Sequence, residues 1–129
     1  MGIVVQKFGG SSVADKDKLF NVCQHIIKEY DSNNNVVVVV SAQGKTTDRL
    51  VEEEEEIANI PDKREHDVLV SVGEQITIAK LAIYLKELGY DAVSFTGWQI
   101  PIITDDIHGN ANIIDIHTEK ILKELANNK

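Results

Sequence analysis

The sequence predicts an α/β fold, a three-layer αβα sandwich whose central sheet is mainly parallel. The first indication is the run of five valines from Val36 to Val40, because a strand that is apolar on both faces is typical of a parallel sheet covered by helices on each side. The second is the order strand, helix, strand over residues 3–40, which is the order of a right-handed βαβ unit. The third is size: a chain of 129 residues, 43% of them hydrophobic, can bury one core, so we expect a single domain.

The chain opens with a predicted strand and helix. Residues Ile3 to Phe8 are apolar and β-rich, and Gly9 to Ser12 follow them as a tight loop. The helix that comes next can be capped by Ser12 or Asp15 and should end near Asn33 to Asn35. Its apolar side chains recur at three- and four-residue spacing: Leu19, Val22, Cys23, Ile26, Ile27 and Tyr30.

Helices are predicted to dominate the middle of the chain. The polar loop Ser41 to Asp48 precedes a helix over Leu50 to Ile57, which Pro61 ends. One long helix is then predicted from Glu65 to Leu88, with Gly89 as its C-terminal stop. Its apolar positions follow the helical period: Leu69, Val72, Ile76, Ala79 and Ile83.

The last third is predicted to hold three short strands and one helix. The strands are Ala92 to Phe95, Ile100 to Thr104 and Ile113 to Ile116, and the helix is Thr118 to Ala126. A helix at this place in an α/β sheet ordinarily leads into another strand. The predicted sheet is therefore incomplete, and we expect the sequence to be a fragment of a longer protein.

Composition and charge argue against several classes of protein. Twenty-one acidic and thirteen basic residues leave a net charge of −8, which disfavours sequence-independent binding to nucleic acid. No run of eighteen apolar residues exists, and the N-terminus lacks the basic-then-apolar layout of a signal peptide. We therefore expect a cytoplasmic protein with no membrane partner. The one cysteine, Cys23, excludes an internal disulfide and a thiolate zinc site, and is predicted to fill the core.

No metal site is predicted. The four histidines lack the spacing that places two ligands on one helical face: His25, His66, His108 and His117. The pair Asp105 and Asp106 is more typical of a turn after a strand than of a magnesium site. The run from Glu52 to Glu56 is predicted to be a solvated helix face.

A candidate phosphate site lies at the end of the first predicted strand. Lys7 is followed by Gly9 and Gly10, which let backbone N–H groups approach an anion closely. The helix beyond is expected to add the positive end of its dipole. The local alternative is a plain turn with a solvated lysine.

The loop Ser41 to Asp48 should end the second strand at the same edge of the sheet. Gly44, Lys45 and Thr46 match the tail of a P-loop, but that motif needs a glycine where the sequence has Val39, so a P-loop switch protein is disfavoured. What remains is a cluster of hydroxyl groups able to hydrogen-bond a carboxylate or phosphate. Thr47 and Asp48 could equally serve as an N-cap for the following helix.

Glu74 is a third candidate, because it follows a glycine inside the long predicted helix. Gly73 costs the helix about 1 kcal/mol relative to alanine, and close approach of a ligand or another backbone is a reason to retain it. The alternative is a glutamate that is merely solvated.

Together these segments resemble the N-terminal part of the aspartokinase family. The matching stretches are residues 7–13 (KFGGSSV), 41–48 (SAQGKTTD), 71–74 (SVGE) and 96–99 (TGWQ), in order along the whole chain. The resemblance implies an incomplete amino-acid kinase fold and ATP-dependent phosphorylation of the side-chain carboxylate of L-aspartate, the first step to lysine, threonine and methionine. It also implies ATP with Mg²⁺ held through the nucleotide, and a homo-oligomer.

The resemblance assigns roles to individual residues. Lys7 would be catalytic, Thr46, Thr47 and Glu74 would bind aspartate, and the ATP phosphates would be held by Lys7, Phe8, Gly9, Gly10, Ser11 and Ser41. Asn112 stands where the family usually has arginine. The nucleotide-binding half and the ACT regulatory domains of the family are expected beyond position 129. The alternative function is a catalytically silent fragment that acts as a dimerisation or interaction module.

Overall fold

Two parallel strands form the centre of the structure, a computed structural model that describes residues 2–129. Strand β1 (Ile3–Phe8) pairs with β2 (Asn35–Val40) in a register that sets Ile3 opposite Asn35 and Phe8 opposite Val40. A short 3₁₀ turn (Gly10–Val13) and helix α1 (Lys16–Asp31) connect them. The predicted βαβ unit and the α/β class are confirmed.

The remaining elements are mainly helical. Helix α2 (Thr46–Ile57) starts four residues earlier than predicted, because the end of the polar loop already takes helical geometry. Helices α3 (Lys63–Val70) and α4 (Val72–Glu87) follow. A small antiparallel pair of strands, β3 (Ile102–Thr104) and β4 (Ile113–Ile116), then precedes helix α5 (Glu119–Ala126).

The helix predicted from Glu65 to Leu88 is present but is interrupted at Ser71, which divides it into α3 and α4. The Ser71 N–H continues the bonding of α3 by donating to the carbonyl oxygen of Asp67 at 3.2 Å, whereas its hydroxyl donates to the carbonyl oxygen of Val68 at 2.7 Å. Serine competes in this way for helix carbonyls and can end or bend a helix. By length and composition alone, residues 63–87 could cross a membrane. The core helix of a soluble protein passes the same test, so the absence of a membrane partner stays a prediction.

The strand predicted over Ala92 to Phe95 is also wrong. Within residues 2–129 this segment forms no strand pairing, and together with β2 it lines a groove of about 770 Å³. The strand predicted from Ile100 is shortened to β3, since Thr96 to Pro101 form a turn in which the N–H of Ile102 donates to Gly97 at 2.9 Å. The apolar sequence favoured a strand here, but a strand forms only where a second strand is available for hydrogen bonding.

The core lies on one face of the β1–β2 pair. Val22, Cys23 and Ile26 of α1 pack there against Val40 and Leu81. Burial raises the pKa of the Cys23 thiol to about 11, which agrees with its predicted role as core filling.

The opposite face of the sheet is open. Ile3, Val5 and Val39 lie on it and are 54%, 63% and 49% exposed. Alternation along a strand places Lys7 on the same face as Ile3 and Val5. The described residues therefore form the sheet and one helical layer of the predicted three-layer sandwich.

Candidate functional site

The loops that follow β1 and β2 meet at the carboxyl edge of the sheet, as predicted. The N–H of Ser41 donates to the carbonyl oxygen of Phe8 at 3.1 Å, which extends the strand pairing by one residue. The N–H of Gly44 donates to the carbonyl oxygen of Gly10 at 3.0 Å. Backbone hydrogen bonds therefore hold the two candidate loops side by side.

The glycine pair has two distinct uses. A Cβ on Gly10 would lie 2.8 Å from the carbonyl oxygen of Ala42, so only glycine allows this close approach of the two loops. A Cβ on Gly9 would meet nothing within 4 Å. The backbone at Gly9 therefore faces open space, where an anion could approach it.

A side-chain bridge adds to this contact and was not predicted. Gln43 donates from Nε2 to the carbonyl oxygen of Val13 at 2.7 Å, and Lys80 of α4 donates to Gln43 Oε1 at 2.8 Å. The three residues are far apart in sequence, so only the fold brings them together. The bridge links both loops to α4.

Lys7 lies next to the loops with its ammonium group free. It is exposed and makes no ion pair with another residue in the 2–129 range. Phe8 is half-buried and packs on the core, its ring 6.3 Å from that of His25. Ser11 is exposed on the 3₁₀ turn. The geometry leaves Lys7 and Ser11 accessible to a ligand.

The expected contribution of the α1 dipole stays a prediction, and acidic side chains at the start of the helix oppose it. Helix α1 begins only at Lys16, and Asp15 caps it by accepting a hydrogen bond from the N–H of Lys18 at 2.9 Å. A carboxylate therefore already occupies the positive end of this helix, and Asp17 adds a second negative charge in the first turn. An anion at this edge would depend mainly on Lys7 and the loop amides.

Gly73 places the start of α4 against the second loop. A Cβ there would lie 2.8 Å from Ala42 Cβ and 3.6 Å from Thr47 Oγ1. Close packing is thus the reason for this glycine, but the neighbours are side-chain atoms of the loop rather than the ligand or backbone that was predicted. Glu74 follows in the first turn, exposed and free of ion pairs among the described residues. The contact thus carries Glu74 to the same edge as the loops.

The two threonines of the loop differ in their bonding. The Thr46 hydroxyl donates to the carbonyl oxygen of Gln43 at 2.7 Å, whereas the Thr47 hydroxyl makes no hydrogen bond within the described chain. The N-cap of α2 is Lys45, so Thr47 and Asp48 are first-turn residues and the capping alternative is wrong. Thr47 Oγ1 remains available to a ligand.

The groove beside β2 extends to Glu74. Its lining includes Ser71 at the junction of α3 and α4, Glu74 of α4, and Thr96 and Trp98 of the later turn. The Thr96 hydroxyl oxygen is buried without a hydrogen-bond partner. Sequence reasoning included Thr96 in a motif but gave it no role, because an unpaired hydroxyl becomes visible only in three dimensions.

Asn112 has a local bonding role. Its side chain donates to Asp105 Oδ2 at 2.9 Å and its N–H to Asp105 Oδ1 at 3.2 Å, and these bonds, with one from the N–H of Ile107, hold the Asp105 pKa below its usual value. Asp67 of α3 accepts from the N–H of Gly109 at 2.9 Å and contacts His108, which lowers its pKa. The turn predicted at Asp105 is confirmed.

The glutamate run is solvated except at one position. Glu54 is only 9% exposed, and its Oε2 lies 2.6 Å from Nδ1 of His66 on α3. The prediction of a wholly solvated face is therefore wrong at Glu54, whose partner lies twelve residues away. No group of three or more His, Cys, Asp or Glu side chains suited to a metal occurs within residues 2–129.

Comparison with known proteins extends these observations. The family model described as the amino acid kinase family matches residues 2–129. The chain is 52% identical to the aspartokinase of Bacillus sp. (strain MGA3) and 50% identical to aspartokinase 2 of Bacillus subtilis (strain 168), in each case over 100% of its length. It covers 31% and 32% of those proteins, so it spans about a third of the length of these curated relatives.

Two solved structures of aspartate kinases are also similar to this chain. The crystal structure of aspartate kinase from Synechocystis has a TM-score of 0.73 and 46% identity, covering 76% of this chain and 17% of that one. E. coli aspartokinase III, in complex with aspartate and ADP, has a TM-score of 0.80 over 98% of this chain and 39% of that chain. At 22% identity this second likeness shows the fold alone.

Proposed function

Because the chain belongs to the amino acid kinase family, we propose that it supplies the phosphate-binding loop and the aspartate-binding part of an aspartate kinase. The reaction is transfer of the γ-phosphoryl group of ATP to the side-chain carboxylate of L-aspartate, the first step toward lysine, threonine and methionine. Magnesium is held through the nucleotide phosphates in this proposal. We place the protein in the cytoplasm.

The observation that carries the proposal is the contact of Gly73 with Ala42. It brings the start of α4 within van der Waals distance of the loop after β2, which is itself bonded to the loop after β1. Lys7, Thr47 and Glu74 thereby lie at one edge of the sheet. In the proposal they supply a cation for phosphate, and a free hydroxyl and a free carboxylate for aspartate.

The chemistry requires positioning more than covalent catalysis. The aspartate carboxylate is already ionised, so phosphoryl transfer needs in-line alignment and neutralisation of charge on the phosphoryl oxygens. In the proposal Lys7 neutralises that charge as the catalytic residue. The backbone at Gly9 and Gly10 orients the phosphates. Further contacts to phosphate come from the strand end and loops: Phe8, Ser11 and Ser41.

Aspartate binding is assigned to the second loop and α4. Glu74 pairs with the α-ammonium group, which distinguishes an amino acid from a plain dicarboxylic acid. The Thr47 hydroxyl donates to a carboxylate. Thr46 contributes less directly, because its hydroxyl hydrogen is engaged with Gln43 and only its oxygen lone pairs remain for a ligand.

Binding by the 129-residue chain tests the proposal. Trp98 is exposed and lines the groove beside Glu74, so its fluorescence should change on titration with L-aspartate and, separately, with MgATP. D-aspartate serves as the control for the first ligand. A chain that shows neither response in fluorescence nor heat in calorimetry would exclude the proposed site.

Replacing Glu74 with glutamine should weaken aspartate binding roughly tenfold to a hundredfold, because a charge-assisted bond of about 1.5–3 kcal/mol is lost. Succinate, which lacks the ammonium group, is the matched ligand. Its affinity should be nearly unchanged by Glu74→Gln, so the preference for aspartate over succinate should collapse. Equal losses for both ligands would show that Glu74 does not contact the ammonium group.

A second candidate function has one observation in its favour. The open sheet face with Ile3, Val5 and Val39 is apolar and exposed, as expected of a surface that a partner covers. A fragment that dimerises or docks through this face without catalysing a reaction fits it. Light scattering that finds a concentration-dependent dimer, together with no binding of aspartate or MgATP, would favour this candidate.

A further inference from the structure

One glutamine connects three parts of the chain beside the candidate site. Gln43 Nε2 donates to the carbonyl oxygen of Val13 at 2.7 Å, and Gln43 Oε1 accepts from Lys80 Nζ at 2.8 Å. The backbone carbonyl oxygen of Gln43 accepts from the N–H and the hydroxyl of Thr46, at 3.0 and 2.7 Å. Gln43 is therefore held at its backbone and at both polar atoms of its side chain.

An amide side chain suits this position. The Lys80 ammonium group can only donate hydrogen bonds and the Val13 carbonyl oxygen can only accept them, so a group between them must do both. An amide does so in one orientation. If it turned over, Gln43 Oε1 would face the Val13 carbonyl oxygen and no hydrogen bond would form. By holding Oε1, Lys80 therefore directs Nε2 to Val13.

The bond to Val13 fixes one end of the 3₁₀ turn that follows the glycine pair. At the other end, the N–H of Gly44 donates to the carbonyl oxygen of Gly10 at 3.0 Å. Both donors, Gly44 and Gln43, belong to the second loop. Ser11 lies between the two tied residues and is exposed. The second loop therefore holds the turn at both ends and leaves its middle open to a ligand.

Lys80 belongs to the face of α4 that contacts this loop. Gly73, Thr77 and Lys80 follow at intervals of four and three residues, which places them on one side of a helix. Gly73 packs against Ala42, and Thr77 is fully buried. Lys80 is exposed and makes no ion pair among residues 2–129, where its ammonium group bonds Gln43 instead.

We propose that Lys80 is a positioning residue for the phosphate-binding turn, on which it acts through Gln43. The inference rests on the proposed function, in which Gly10 and Ser11 contact the ATP phosphates. A turn that is already held in its binding conformation loses less conformational freedom when a ligand binds, so holding it raises affinity. Lys80 thus favours MgATP binding without touching the ligand.

The aspartate-binding residues do not depend on this bridge. Thr47 and Glu74 lie beside the packing contact between Gly73 and Ala42, which involves neither Gln43 nor Lys80. Loss of Lys80 should therefore weaken binding of one substrate and spare the other.

Replacing Lys80 with methionine tests the assignment in the 129-residue chain. Calorimetry should find MgATP bound roughly threefold to tenfold more weakly, and L-aspartate bound as by wild type. Lys86→Met is the matched control, since Lys86 is an exposed lysine of the same helix that pairs with Asp91. It should change neither affinity. Urea unfolding should give the two variants similar midpoints, because each removes one exposed side-chain bond.

A second variant shows whether Lys80 acts through Gln43. Gln43→Met removes both side-chain bonds and should weaken MgATP binding at least as much as Lys80→Met does. Adding Lys80→Met to Gln43→Met should cause no further loss, since residues in one hydrogen-bond network do not contribute additively.

Failure of the inference differs from failure of the proposed function. A wild-type chain that binds no MgATP overturns the phosphate part of the proposed function, and the inference with it. If wild type binds MgATP, equal affinities in Lys80→Met and Lys86→Met overturn the inference alone. So do equal losses for MgATP and L-aspartate, or a lower urea midpoint in Lys80→Met than in Lys86→Met, because either shows a loosened fold. A further loss in the double variant also overturns it, since Lys80 would then act without Gln43. Weaker binding of MgATP alone, with no further loss in the double variant, supports it.

Discussion

Replacing Lys7 with alanine should lower turnover by orders of magnitude, with a modest effect on aspartate affinity. The ammonium group is exposed, unpaired within the described chain and placed beside the glycine loop, where it can act on charge in the transferring phosphoryl group. The measurement needs a chain of full family length. A chimera in which residues 1–129 replace the matching 31% of the Bacillus sp. (strain MGA3) aspartokinase provides one.

Lys45→Ala is the matched control for that substitution. Lys45 is an exposed lysine in the neighbouring loop, where it pairs with Asp48 at 3.4 Å. It should change kcat little, because exposed ion pairs contribute little and Lys45 has no assigned role. Equal losses of kcat in Lys7→Ala and Lys45→Ala would contradict the role assigned to Lys7. So would an effect of Lys7→Ala that is confined to the aspartate KM.

Replacing Gly10 with alanine should destabilise the chain by about 1–3 kcal/mol, the usual range for a side chain forced into a packed space. The new Cβ would lie 2.8 Å from the Ala42 carbonyl oxygen, which belongs to backbone and cannot swing aside. Gly9→Ala is the control, since its Cβ meets nothing within 4 Å and its φ of −76° suits any residue. In urea unfolding, Gly10→Ala should have a lower midpoint than Gly9→Ala. Equal midpoints would refute the packing argument.

Much of the fold was predictable because its determinants are local. The valine run identified β2, the β-rich start identified β1, and three- and four-residue spacing identified α1. The two main errors have different causes. Ala92 to Phe95 lack a strand with which to pair, which depends on distant parts of the chain. The interruption at Ser71 is local, because the Ser71 hydroxyl donates to the carbonyl oxygen of Val68 three residues earlier.

The candidate site was predictable in part for the same reason. Glycine pairs and hydroxyl clusters are visible in sequence, and parallel strands bring their following loops to one edge, so Lys7, Gly10 and Thr47 could be named. The bridge through Gln43 could not, because it joins residues that are far apart along the chain. The burial of the Thr96 hydroxyl oxygen is likewise visible only in the folded structure.

The free edge of β2 has a consequence for isotope exchange. The N–H groups of Asn35 and Ser41 donate to β1 carbonyls at 2.8 and 3.1 Å, and a parallel ladder alternates, so odd-numbered amides from 35 to 41 face β1. Those at 36, 38 and 40 face the groove. In deuterium oxide, NMR should therefore find slow and fast amides in turn along the most apolar strand of the chain. Uniform protection would mean that another strand already covers this edge in solution.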